Sequence, residues 1–83
     1  MAETLTLSAL PLGESAFVTR IHAQPDMARR LTDLGLTPGV RVTCAAQSPA
    51  GDPRAYLIRG ALIALRNADT DGIFITGRKA AGA

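Results

Sequence analysis

The sequence predicts a mainly β fold, a small closed or nearly closed barrel of about five or six short strands with one short α-helix inserted over residues 25–34. Three observations predict it. Pro11, Gly13, Pro25, Gly35, Pro38-Gly39, Pro49, Gly51, Pro53, Gly60 and Gly72 cut the 83 residues into short pieces, roughly five to ten residues each. Within most pieces the apolar residues alternate, and in only one do they recur at helical spacing. Short segments divided this way suit a β-rich domain.

Residues 4–10 alternate, with Leu5 and Leu7 on one face, and Leu10-Pro11-Leu12-Gly13 turns the chain into a second strand over residues 16–23. Val18 and Ile21 are its core anchors. The period then changes: Met27, Leu31 and Leu34 recur at i, i+4 and i+7, the apolar stripe of a helix. Pro25 suits the first helical turn, where its missing N–H is not needed, and Asp26 faces the positive end of the helix dipole. Gly35 fits the left-handed position that closes the helix, Leu36 is placed to fold back on the last turn, and Pro38 prevents continuation. So short a helix is marginal in water and must dock its apolar face on the sheet.

Beyond Pro38-Gly39, Val40, Val42, Cys44 and Ala46 alternate with Arg41, Thr43 and Ala45. A turn over residues 48–53 leads to residues 54–59, where Tyr56 and Ile58 share a face and Leu57 takes the other. Ile63 and Leu65 continue the alternation after Gly60, and Ile73 and Ile75 complete it beyond the polar stretch 67–71. The expected core is Val18, Ile21, Leu31, Leu34, Val40, Val42, Tyr56, Ile58, Ile63, Leu65, Ile73 and Ile75. Residues 1–76 form one domain, and residues 77–83 (GRKAAGA), which lack a periodic apolar face, are expected to be a disordered end.

Composition narrows the function. A chain of this length buries only about 60% of its unfolded surface, leaving little room for an enclosed substrate pocket. With one histidine, and with no nucleophile, base and orienting group at an interpretable spacing, no enzymatic activity is expected. No glycine belongs to a G-x-x-x-x-G-K phosphate loop, so GTP binding is not expected. The formal charge is +2, and its arginines are scattered rather than gathered in a stripe, which disfavours nucleic acid as a partner. The N-terminus lacks the basic and apolar regions of a secretory signal, and no apolar run nears the ~18 residues of a membrane span. The lone Cys44 forms no intrachain disulfide, falls on the apolar face of its strand and reads as a small buried hydrophobe. The cytoplasm is the expected location.

Three groups of residues carry a resemblance. They are Arg29-Arg30-Leu31 with Leu34-Gly35-Leu36, Pro38-Gly39 and Arg41-Val42; then Ser48-Pro49 with Gly51-Asp52-Pro53; then Gly60 with Ile63-Ala64-Leu65-Arg66. In this order and spacing the chain resembles the ferrous iron transport protein A (FeoA) family over about residues 5–76. The resemblance implies an SH3-like barrel, similar also to the C-terminal domain of iron-dependent repressors of the diphtheria toxin repressor type. It further implies a bacterial, non-enzymatic accessory or regulatory protein of ferrous iron uptake. The implied partner is the FeoB-type membrane GTPase transporter, which would recruit the chain to the inner face of the membrane.

The candidate partner-binding residues are Met27, Arg29, Arg30, Leu36, Pro49, Asp52, Leu57 and Arg66, with Phe74 as further exposed apolar material. The arginines and the apolar residues have a structural alternative. Arg29 and Arg30 suit exposed ion pairs with Asp26 and Asp33, and Arg66 suits one with Asp69 or Asp71. No metal or other cofactor is expected, since no Cys/His cluster exists; the groups left for weak binding of Fe(II) or another divalent metal are Glu14, His22 and Asp26, around the helix entrance. Two alternatives to the adaptor role remain: a metal-binding sensor or delivery module using His22 and those carboxylates, and an RNA- or ribosome-binding protein using Arg20, Arg41, Arg54 and Arg59 as one face. Self-association, and which face docks, stay open.

Overall fold

The computed structural model describes residues 5–76; the expected disordered end at 77–83 lies outside them. In chain order the elements are β1 (Leu5–Thr6), a 3-10 turn (Leu7–Ala9), β2 (Ser15–Ile21), α1 (Pro25–Asp33), β3 (Arg41–Gln47), β4 (Arg54–Ile58), β5 (Ala61–Leu65), the single-turn α2 (Asn67–Thr70) and β6 (Ile73–Ile75). All strand pairs are antiparallel, in the order β1-β6-β2-β3-β4-β5. The architecture is therefore mainly β, six strands in one sheet with one helix of length, as expected. Among the described residues β1 and β5 are the two edges of the sheet and do not pair with each other.

The first expected strand is cut short. Only Leu5 and Thr6 pair, with Ile75 and Phe74, and the chain then enters the 3-10 turn. Leu7 and Leu10 are both fully buried. Their i, i+3 spacing matches the three residues per turn of a 3-10 helix, and one turn drops both leucines into the core. In β2 the register shifts between Val18 and Arg20; this bulge explains how Val18 and Ile21, of opposite parity, both reach the core side.

Burying the turn takes the Leu10 carbonyl away from water and leaves that of Ser8 partly shielded from it. Arg54 satisfies them. Its side chain turns inward from β4, 7% exposed, and the guanidinium donates to the carbonyl oxygens of Ser8, at 2.6 Å, and of Leu10. It also lies 5.8 Å from the centre of the Tyr56 ring. Thr6 and Ser8 share a hydroxyl contact, and the Ser8 hydroxyl donates to the Asp71 carboxylate, tying the turn to the C-cap of α2.

At its far end α1 closes with a full Schellman motif. Gly35 has φ of 102°; its N–H donates to the Thr32 carbonyl and that of Leu36 to the Leu31 carbonyl, each at 2.9 Å. This double bond pattern brings Leu36 back against Leu31, and both are buried. Leu36 is 0% exposed, so it is a core residue and not the partner-facing side chain expected from sequence. Leu34, expected in the core, is instead 39% exposed. It occupies the C-cap, on the shoulder of the stripe rather than its centre. Ile21, Val40 and Ile63 pack around the core partly buried, while Leu7, Leu10, Ala16, Leu36 and Cys44 join it. Gly72 is required by a close approach, since a Cβ there would strike the backbone oxygen of His22, whose N–H donates to the Gly72 carbonyl at 2.7 Å.

Three outcomes follow for stability. Leu36→Ala should cost about 2–5 kcal/mol in urea denaturation and Leu34→Ala less than about 1 kcal/mol; the reverse order would restore the sequence-based assignment. Arg54→Met strands the Ser8 and Leu10 carbonyls, so it should destabilise by about 1–3 kcal/mol and speed amide exchange over residues 5–10. Burial raises the pKa of Tyr56 above its ordinary 10.0, with Arg54 and the Thr70 hydroxyl opposing the rise. The unfolded chain then loses this proton at lower pH than the folded one. The contribution is intact below pH 10 and is lost as pH climbs from there through the raised folded value. Tyr56→Phe should flatten that alkaline decline in the denaturation midpoint.

Candidate partner-binding site

α1 and β5 do not pack against each other along their lengths; a groove of about 410 Å³ runs between them. Its α1 wall is Met27, Arg30, Leu31 and Leu34, and its β5 wall is Ile63, Ala64 and Leu65, with Arg66 just past the strand and Asp69 at the end. Sequence and local structure explain both walls. The helix turns Leu31 into the core, which leaves Met27, Arg30 and Leu34 on the flank that looks across at β5. Consecutive side chains of a strand point to opposite faces, so a groove touched by three successive β5 residues, Ile63, Ala64 and Leu65, meets the strand side-on, along its edge.

Beside the groove, the outer face of the sheet carries further apolar surface. Ser15 pairs with Thr43, Thr43 with Leu57 and Leu57 with Leu62, so these residues form one row across β2, β3, β4 and β5. Leu57 is 44% and Leu62 64% exposed. Phe17 on β2 is exposed as well but is separated from them by β3, where it pairs with Arg41, so the contiguous apolar surface is the pair Leu57 and Leu62.

The structure brings some of the expected partner residues together and separates others. Met27, Arg30 and Arg66 line the groove; Arg29 is exposed on the neighbouring face of α1 and Leu57 on the adjoining sheet face. Neither Arg29 nor Arg30 forms an ion pair with Asp26 or Asp33, and the cations face solvent. Pro49 and Asp52 sit in a separate loop whose geometry is set internally. Ser48 Oγ donates to the Asp52 carbonyl at 2.9 Å and accepts from the Asp52 N–H at 3.1 Å. Asp52 Oδ1 accepts the Asn67 N–H at 2.9 Å, satisfying the N-terminus of α2. Arg66 does not reach Asp71, whose carboxylate takes the Ser8 hydroxyl instead. Phe74 is half-buried beneath Arg20, whose guanidinium lies 4.6 Å from the ring centre.

The proposed metal ligands do not converge. Glu14 and His22 flank β2 at opposite ends, and a strand of that length separates them by about 25 Å at ~3.3 Å per residue. Among the described residues no group of three or more His, Cys, Asp or Glu side chains could hold a metal ion. Nor do Arg20, Arg41, Arg54 and Arg59 make one basic face, because Arg54 is turned into the core. Cys44 is free and fully buried, as expected.

Leu34, Leu62, Ala64 and Asp69 were not singled out from sequence as surface contacts. The available signal was β5 itself, Ala61-Leu62-Ile63-Ala64-Leu65, which is apolar at both parities and so cannot bury all its side chains in a one-sided sheet.

Comparison with known proteins adds family evidence. The family model described as the FeoA domain matches residues 5–77. The FeoA protein of Chlorobium tepidum is 37% identical, with a TM-score of 0.81 over 86% of this chain and 68% of that one. FeoA of Stenotrophomonas maltophilia, solved in complex with zinc, is 35% identical, with a TM-score of 0.76 over 86% of this chain and 88% of that one. At 21% identity, the IdeR protein of T. acidophilum shares the fold alone, with a TM-score of 0.78 over 89% of this chain and 34% of that one. No curated protein sequence matches the chain.

Proposed function

The chain belongs to the FeoA family, which has a role in ferrous iron transport, and from that premise we propose that it works as a non-enzymatic adaptor docking on the cytoplasmic part of a FeoB-type transporter. The observation that supports docking most directly is the exposed groove between α1 and β5, apolar on both walls and carrying Arg30 and Arg66. A small SH3-like fold with such a surface acts by contact, changing its partner's nucleotide cycle, assembly or opening. No described helix is long and apolar enough to cross a membrane, so in this reading the transporter supplies the attachment to the membrane.

A metal-binding role is the competing reading, favoured by the zinc complex of the S. maltophilia relative. The residues of this chain fit it poorly, because His22, Glu14 and Asp26 are not gathered into one donor set. Two measurements separate the readings. Titration with the cognate transporter's cytoplasmic domain, with and without guanine nucleotide, should show saturable binding in at least one nucleotide state. Absence of binding in every state, together with normal iron uptake in a deletion strain, would overturn the adaptor role. Anaerobic calorimetry with Fe(II) should show no stoichiometric binding that depends on His22; binding abolished by His22→Ala would establish the metal reading.

A further inference from the structure

We infer that the groove receives an extended segment of the partner, which adds to β5 as a seventh strand and presents a carboxylate to Arg30 and Arg66. The inference rests on the docking role above and specifies its chemistry.

The hydrogen-bonding pattern of β5 carries the first step. Arg59 and Gly60 both have positive φ, 51° and 85°, the signature of a two-residue type I′ hairpin loop. Ile58 and Ala61 are the pair that closes it. Hydrogen-bonded and non-bonded pairs alternate along an antiparallel ladder, so Ala61, Ile63 and Leu65 turn their backbone groups toward β4. Leu62 and Ala64 turn theirs outward. Among the described residues neither has a backbone partner beyond β5.

Sheets ordinarily blunt such an edge with charge, proline, a bulge or brevity. β1, the other edge, is two residues long. β5 has five residues, all Ala, Leu or Ile, and pairs with β4 without a register shift. An edge this open, continuous with a groove touched by three successive β5 residues, is built to accept a strand.

The occupant follows from charge and symmetry. Arg30 and Arg66 outnumber Asp69 in the groove, and among the described residues neither arginine forms an ion pair. A segment with apolar residues at alternate positions and an acidic residue complements both features. A second copy of the chain does not fit as well. If its β5 lay in the groove between α1 and β5, twofold symmetry would place its α1 on the far side of this β5, where β4 already sits.

The test uses the full chain, ¹⁵N-labelled, and the cognate transporter's cytoplasmic domain as probe. Amide exchange at Leu62 and Ala64 should slow at least tenfold on binding. Ala64→Pro, which removes an outward donor while leaving the β4 bonds in place, should weaken binding at least tenfold, and Ala64→Ser should not. Because proline can disturb a strand, Arg30→Glu with Arg66→Glu provides a second variant; it leaves the backbone alone and should also weaken binding at least tenfold at low salt. Binding at wild-type strength by both variants, with Leu62 and Ala64 unprotected, overturns strand addition and leaves the docking role standing. Failure of the wild-type chain to bind in any nucleotide state overturns both. Protection that grows with the chain's own concentration, without the probe, identifies a second copy and overturns the inference.

Discussion

Arg54 holds the one interaction on which the rest of the structure depends. The chain enters the domain through a buried 3-10 turn, and the carbonyls of Ser8 and Leu10 would be orphaned without the guanidinium that reaches them from β4. The charge itself has been taken out of water, and carbonyl dipoles and the Tyr56 ring surround it. In return the turn delivers Leu7 and Leu10 to the core. The inward orientation of Arg54 also fixes the parity of β4. Tyr56 and Ile58 must follow it inward, Leu57 must face out, and through the tight hairpin at Arg59-Gly60 that parity passes to β5.

The second constraint is the stop of α1. The Schellman bonds around Gly35 pull Leu36 under the helix, and a Cβ at Gly35 would meet the Arg59 side chain at 2.9 Å. The helix end is thus lodged against the β4–β5 hairpin, while the flank bearing Met27, Arg30 and Leu34 stays uncovered. Groove and edge adjoin: β5 ends the strand order, and the groove runs between it and that uncovered flank of α1.

Much of this was legible in the sequence. The helix, its Pro25 start, its Gly35 stop and the alternating strands after residue 40 follow from local chemistry, and the family follows from three short segments in order. The misread parts were decided by tertiary contacts. Leu7 and Leu10 look like positions in a strand until the turn between them is seen. Leu34 and Leu36 exchange roles because a Schellman motif selects the residue after the glycine, not the one before it. Arg54 looks like surface charge, since nothing local announces carbonyls 44 and 46 positions earlier in the chain. Glu14, His22 and Asp26 look close in sequence, and an extended strand keeps the first two apart.

The residues expected at the candidate site are divided by the fold between two places. Met27, Arg30 and Arg66 lie in the groove, whereas Pro49 and Asp52 belong to a loop that braces α2. The apolar composition of β5 could have marked the edge, had the sheet been expected to remain open. The most direct test of the account is a structure of the chain bound to the cytoplasmic domain of its cognate FeoB-type transporter. The account predicts a partner strand hydrogen-bonded to Leu62 and Ala64 between β5 and α1. A partner seated on the 48–53 loop or the Phe17 face, with the β5 edge still open to water, would contradict it.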